Sequence, residues 1–240
     1  MQTSQKIINW IRRKVKEAGA KGIVVGLSGG VDSSLVAILA KKAVGKNRLL
    51  CLLLPCGGAV ADRRDAELLL KTFKLKYREV NLKPIHSYLC RILPAANRIT
   101  AGNLKARLRM LVLYYFANKL NYLVAGTGNK SELMMGYFTK YGDGGADILP
   151  LGSLLKREVR QLAKKMGVPE KIINKLPTAG LWSGQTDEGE MGITYRELDD
   201  ILFRLELRKR QVSSRQKVKR VKKLIKSSWH KRNPAVIFKP

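Results

Sequence analysis

The segment Gly26-Leu27-Ser28-Gly29-Gly30-Val31-Asp32-Ser33-Ser34 holds the densest chemistry in the sequence. Two adjacent glycines let successive backbone N–H groups turn inward toward an anion. Ser28, Ser33 and Ser34 add hydroxyl donors, and a helix opening at Val31 adds the partial positive charge of its N-terminus. An ordinary strand-to-helix turn, with Asp32 as a first-turn acid, would use the same residue types. The three serines in a strand–loop–helix setting favour the anion site. This is not the GxxxxGK(S/T) phosphate loop, because Asp32 stands where that loop requires lysine. A carboxylate beside phosphates needs a cation between them, and Mg2+ bound by one or two carboxylates plus phosphate oxygens is the usual arrangement.

Three glycine-rich segments hold seven of the 18 acids in a chain where acids are scarce: Asp32, Glu132, Asp143, Asp147, Asp187, Glu188 and Glu190. One is the segment above, another runs from Gly126 to Asp147, and the last is Pro177 to Gly192. Lys156 gives a separate hint. Ser153 reads as an N-cap, and a capping box wants Glu or Gln three residues later, where Lys156 and then Arg157 stand. Cations in a first turn oppose the helix dipole by ~0.3–1 kcal/mol at exposed sites. A tolerated surface lysine, offset by Glu158, is one explanation; an anionic ligand at that terminus is the better one.

The elements that must position these residues alternate in type. Strands are expected at Gly22 to Leu27, Arg48 to Leu54, Tyr77 to Asn81 and Tyr122 to Gly126. Helices are expected at Val31 to Val44, Asp62 to Phe73 and Thr100 to Lys119, with a short one after Asn129. This alternation argues for an α/β domain with a mostly parallel sheet, right-handed crossovers and ligands at the carboxyl ends of the strands. Beyond Gly136, Tyr137 to Leu151 and Pro177 to Gly192 read as loops. Ser153 to Met166 reads as a helix ended by Gly167 and Pro169, and further helices start at Thr194 and near Ser213. No repeat or linker divides the 240 residues, so residues 1–240 are taken as one domain.

Met1 to Gly19 has Ile7, Ile8, Ile11 and Val15 at helical spacing among Arg12, Arg13, Lys14 and Lys16. This is an amphipathic helix of a cytoplasmic protein and not a signal peptide. No apolar run approaches the ~18 residues of a membrane span. Cys51, Cys56 and Cys90 form no CxxC pair and no disulfide framework. The balance of 47 Lys+Arg against 18 Asp+Glu, net +29, raises nucleic acid as a partner. Between Arg204 and Arg232 stand 13 basic residues and one acid, Glu206. A solvated helical face accounts for that run, and a phosphate-rich substrate would be served by the same field. Nucleic-acid binding is possible there but not required.

The glycine-rich segment resembles the SGGxDS pyrophosphate loop of the N-type ATP pyrophosphatases, which cleave ATP to AMP and pyrophosphate while adenylating a substrate. The second segment narrows the resemblance. Gly126-Thr127-Gly128-Asn129-Lys130-Ser131-Glu132 and the run Gly136-Tyr137-Phe138-Thr139-Lys140-Tyr141-Gly142-Asp143-Gly144-Gly145-Ala146-Asp147 are similar to a specific block of the ammonia-dependent NAD synthetases. Gly102 to Met110, Pro177 to Glu188 and His230-Lys231-Arg232 agree with it, so the resemblance spans almost the whole chain. Thr178 stands where serine is common, and Gly145 at a variable position.

This resemblance implies a three-layer, Rossmann-like parallel sheet of the adenine nucleotide alpha hydrolase type, followed by C-terminal helices. It implies a ligase that amidates deamido-NAD with ammonia through an NAD-adenylate, with ATP as co-substrate and Mg2+ as cofactor. Gly26, Leu27, Ser28, Gly29, Gly30, Val31, Asp32, Ser33, Thr127, Lys156 and Thr178 would contact ATP. Asp32 and Glu132 would hold Mg2+. Arg107, Lys140, Asp147, His230 and Lys231 would contact deamido-NAD. Asp32, Lys156 and Asp187 would act in catalysis, and Pro177 to Gly192 would close over the intermediate. Homodimerisation is implied, with the first helix and the Thr100 helix apolar enough to join the interface. The synthetase pattern consumes the chain, so no glutaminase domain is expected and free ammonia is the nitrogen source. Two alternatives stand beside this reading: a tRNA-modifying N-type ATP pyrophosphatase, and a basic nucleic-acid-binding protein on the same fold.

Overall fold

The computed structural model describes residues 2–57, 60–182, 184–208 and 214–238. Met1, Ser183 and Ser213, each part of a segment assigned above, lie outside the described residues. The N-terminal helix α1 (Thr3–Glu17) leads into β1 (Gly22–Gly26), α2 (Val31–Val44), β2 (Leu49–Leu53), α3 (Val60–Thr72) and β3 (Tyr77–Glu79). Next come α4 (Lys83–Ile92), α5 (Arg98–Leu120), β4 (Tyr122–Val124) and α6 (Lys130–Met135). The rest is helical: α7 (Lys156–Lys165), α8 (Glu170–Ile173), α9 (Asp187–Met191), α10 (Tyr195–Glu206), α11 (Arg215–Ser227) and α12 (Trp229–Arg232).

All the strand pairs are parallel, in the order β3-β2-β1-β4. Strands buried on both faces alternate between two cores. Ile23, Val25, Cys51 and Leu53 face one side, where Ile8, Ile11 and Val15 of α1 join Leu35, Ile38 and Leu39 of α2 and Leu69 of α3. Val24, Leu52 and Val124 face the other, against Leu108, Val112 and Phe116 of α5. The three layers expected from sequence are therefore present. A separate apolar cluster joins α6, α10 and α11 through Met135, Leu198, Ile201, Leu202 and Val221. It locks the C-terminal helices onto the end of the sheet that bears the site.

Helices α4, α8, α9 and α12 were not foreseen. Helix α4 begins with Pro84 in its first turn, where a missing N–H costs nothing. It follows a strand of only three residues, too short to mark the boundary. Helix α9 lies inside the stretch read as a loop; Thr186 caps it and Asp187, Glu188 and Glu190 fill its first turn. The helix expected from Ser153 begins three residues later, with Leu155 as N-cap. Glu158 then sits at the third helical position, and its carboxylate accepts from the Leu155 N–H at 2.7 Å.

Candidate active site

Strand order reverses beside β1. The chain runs outward from β1 to β2 to β3, then returns to place β4 on the other flank. Such a switch point opens a crevice beyond the carboxyl ends of the two strands. Asp32 enters it from the turn after β1, and Asn129 and Glu132 enter it from the turn after β4.

The turn after β1 is self-bracing. Gly29 has φ +81°, and a Cβ there would lie 2.3 Å from the Asp62 carbonyl oxygen, so only glycine fits. Ser33 Oγ donates to the Gly30 carbonyl (3.1 Å) and accepts from the Ser28 N–H (3.2 Å). The Gly30 N–H donates to Ser28 Oγ at 3.3 Å. The loop is thus shaped before any anion arrives, with α2 opening directly behind it.

The turn after β4 is a capping box that also serves the site. The Glu132 N–H donates to Asn129 Oδ1 (3.1 Å), and the Asn129 N–H donates to Glu132 Oε2 (3.2 Å). Each side chain keeps its other polar atom for the crevice. Asn129 Nδ2 donates to Asp32 Oδ1 at 2.8 Å. Glu132 Oε1 accepts from Lys156 Nζ at 3.0 Å, and the same ammonium donates to Asp32 Oδ2 at 2.6 Å. Lys156 is only 3% exposed. Its ammonium also lies 4.9 Å from the centre of the Tyr195 ring. The Tyr195 hydroxyl donates to Asp187 Oδ2 (2.9 Å) and lies 3.3 Å from Glu132 Oε1.

Burial alone would lower the Lys156 pKa, but Asp32 and Glu132 outweigh it and raise it, so the ammonium keeps its proton. Burial raises the Glu132 carboxyl against the pull of Lys156. Burial also raises Asp187, with Tyr195 working in the opposite direction.

The position of Lys156 corrects one expectation. An anionic ligand was anticipated at the start of α7; the anion there is the Asp199 carboxylate of α10. Asp199 is fully buried. It accepts from the Arg157 N–H (2.8 Å) and from Ser131 Oγ (2.5 Å), and Ser131 Oγ in turn accepts from the Lys156 N–H (3.0 Å). The cations of that first turn are tolerated because the helix end is already neutralised from within. Lys156 is left free to reach across to Asp32 and Glu132.

The other expected residues divide. Thr127 lines a small cavity with Gly128, Glu132, Phe138 and Asp143. Thr178 is exposed, and its Oγ1 accepts from the Gly180 N–H. Lys140 Nζ donates to the carbonyls of His230 (2.5 Å) and Asn233 (3.4 Å). Lys231 Nζ donates to those of Gly136 (2.9 Å) and Phe138 (3.0 Å). These two lysines bind the tail to the loop after α6. Asp147 accepts from the Val124 N–H (2.7 Å) and the Tyr114 hydroxyl (3.0 Å), closing the end of β4. Arg107 and His230 are exposed. Reasoning from sequence missed Asn129, Ser131, Tyr195 and Asp199 as members of the network. Only the Asn129/Glu132 spacing, a capping box ahead of a helix, carried a readable signal.

A parallel α/β sheet whose switch point combines an anion-shaped glycine turn with a carboxylate pair and a buried lysine defines a nucleotide-dependent enzyme of the adenine nucleotide alpha hydrolase type. The chain belongs to the NAD synthase family, whose model matches residues 3–235. It is 55% identical to an NH(3)-dependent NAD(+) synthetase of Syntrophomonas wolfei, over 82% of this chain and 81% of the relative. The enzyme of the same name from Carboxydothermus hydrogenoformans is 48% identical over 96% of this chain and 94% of the relative. Among solved structures, an NMN synthetase from Francisella tularensis superposes with a TM-score of 0.90 at 40% identity, covering 98% of this chain and 96% of that one.

Proposed function

We propose that this protein is an ammonia-dependent NAD synthetase, converting the nicotinate carboxylate of deamido-NAD to the amide of NAD with cleavage of ATP to AMP and pyrophosphate. The observation that carries the site assignment is Lys156, buried between Asp32 and Glu132 beneath the glycine turn. A carboxylate is inert to ammonia because its leaving group is oxide. An oxygen of the nicotinate carboxylate attacks the α-phosphorus of ATP, the bond to the β-phosphate breaks, and pyrophosphate leaves. Ammonia then attacks the carbonyl carbon of the adenylate, a proton is lost, and AMP departs.

In this reading the N–H groups and hydroxyls of Gly26 to Ser33 cradle the phosphates and the departing pyrophosphate. Lys156 answers the negative charge that builds there. Asp187 acts through the Tyr195 hydroxyl, which steadies the Lys156–Glu132 pair. Asp32 and Glu132 bring two carboxylate oxygens to one point, which the Lys156 ammonium shares, and Mg2+ takes few protein oxygens and completes its shell with phosphate and water. Asp32 and Glu132 would hold it, and it would neutralise phosphate charge. Thr127 and Thr178 face the ATP side. Arg107, Asp147 and His230, with the tail held by Lys140 and Lys231, face deamido-NAD. Those two lysines reach the substrate only by releasing the carbonyls they now hold. The Pro177 to Gly192 stretch, with α9 inside it, shields the adenylate from water.

The assembly is a homodimer built on α5. Leu111 and Tyr115 of α5 are 60% and 58% exposed, and the neighbouring α4 presents Ile85, Tyr88 and Ile92. Helix α1 does not take part through Ile8, Ile11 and Val15, which its own core consumes. With Tyr115→Glu and Leu111→Glu together, sedimentation should show a monomer where the parent is a dimer; an unshifted dimer places the interface elsewhere. The cytoplasm is the compartment proposed, and among the described residues no helix is long and apolar enough to cross a membrane.

The first test supplies ATP, Mg2+, deamido-NAD and ammonium. NAD and pyrophosphate should form in equal amounts, and Asp32→Ala should abolish both. The name of the Francisella tularensis neighbour motivates a second acceptor, nicotinate mononucleotide. We expect the higher kcat/KM with the dinucleotide; the reverse order would make this chain a mononucleotide-amidating enzyme. ATP cleavage without either amide would point to an acceptor such as tRNA, which the family match does not favour.

A further inference from the structure

Helix α11 is divided along its length. Val218, Val221, Leu224 and Ile225 pack into the cluster shared with α6 and α10. Arg215, Lys219, Lys222, Lys223 and Lys226 lie on the other side, all exposed. Their spacing of four, three, one and three residues puts them on one face. The remaining cations of the helix have partners: Lys217 Nζ lies 2.5 Å from Glu197, and Arg220 Nε donates to the Met191 carbonyl at 2.8 Å. Among the described residues, none of the five outer cations has a carboxylate within ion-pairing distance.

This arrangement works against the helix. Like charges three and four residues apart disfavour it, and cations in its first turn oppose its dipole. No acid stands in that turn. The packing of Val218, Val221, Leu224 and Ile225 offsets that cost, and the hydrogen bonds that hold Lys156 in the ATP crevice involve no residue of this face. The stripe covers about 16 Å of helix, from Arg215 to Lys226. A nucleic-acid duplex presents one negative charge per ~1.7 Å of its axis, so such a stripe meets several phosphates at once. The five side chains of this face are all cationic, with no aromatic or apolar residue among them to enter a lipid interface.

We propose that the outer face of α11 docks on the sugar–phosphate backbone of nucleic acid, separately from the catalytic site. Lysines touch phosphates as point charges, so the binding positions the protein without reading sequence. The test is fluorescence anisotropy of the full chain with a labelled 20-base-pair RNA duplex across a salt series. Binding should weaken with a log–log salt slope of about −4, at roughly 0.9 per phosphate contacted. Changing Lys219, Lys222, Lys223 and Lys226 together to Glu should lower affinity by about 100-fold or more at low salt, as the counterion term vanishes. The melting temperature and NAD formation of that variant should match the parent. A control with the same change in net charge, Glu at Lys46, Lys71, Lys76 and Lys119, should keep most of the binding. Three results would overturn the proposal: no binding by the parent, an equal loss in both variants, or stripe-dependent binding to phosphatidylserine vesicles in preference to the duplex.

Discussion

Lys156→Met should lower kcat/KM for NAD formation by about 10³-fold and the melting temperature by about 10 °C. The catalytic part follows from removing a fixed charge aimed at a developing anion in a dry site, a loss of the order of 10²–10³ for a single donor. The structural part has a separate origin. Asp32 and Glu132 are 16% and 17% exposed and converge on one ammonium. Methionine keeps the stem's volume and removes the charge, leaving two carboxylates facing each other without a counter-ion. Breaking a buried ion pair from one side costs about 3–5 kcal/mol, and each kcal/mol is about 2–4 °C for a chain of this size. Protonating Glu132 is the relief available to the variant, so it should recover stability as the pH falls and the parent should not. A Lys156→Met protein that melts like the parent at neutral pH would mean the pair is solvated and the site more open than described.

Asp199→Ala should destabilise by about 2–4 kcal/mol while lowering kcat about 10- to 100-fold, although Asp199 touches neither Asp32 nor Glu132. Its carboxylate satisfies the Ser131 hydroxyl and the Arg157 N–H, and alanine strands both in a buried setting. The start of α7 then loses its internal anion, and Lys156 is the first residue of that helix. A small misplacement of a group that must meet a developing charge is enough to cost that much in rate. Asp199→Asn keeps one acceptor oxygen and should recover part of both losses. If Asp199→Ala kept the parent's kcat while melting lower, Lys156 would be held by its carboxylate partners alone.

The parts of this molecule legible in its sequence are local in the chain. The strand, glycine turn and helix around Gly26 to Val44 lie within one stretch, and so do the strand and capping box around Asn129. Asp32 and Glu132 stood out because carboxylates are scarce here and these two sit at strand ends. Lys156 was singled out for a mistaken reason. Ser153 looked like a cap, so the lysine seemed to await a ligand; the helix starts later and its anion comes from Asp199, 43 residues further on by the numbering. Nothing local marks that pairing, or the reach of Tyr195 to Asp187 and Glu132. The amphipathic α1 was legible as a helix, but its apolar face gave no sign of whether it would meet its own core or another subunit. Helix α9 hid in a glycine-rich stretch whose acidic run, Asp187 to Glu190, was the first-turn signature of a helix.

The absent Cβ of Gly29 ties together regions that the sequence keeps far apart. Gly29 lies against the Asp62 carbonyl at the start of α3. From the same turn, Asp62 and Asp65 hold Lys175 at 2.7 and 2.6 Å. Lys175 stands just ahead of Thr178 and the stretch that carries α9. The glycine turn and the Pro177 to Gly192 stretch are therefore moored to one post. A methyl group introduced at position 29 would press on the Asp62 carbonyl, whose residue also anchors Lys175 ahead of that stretch. Gly29→Ala would in this sense be a lesion of two places at once.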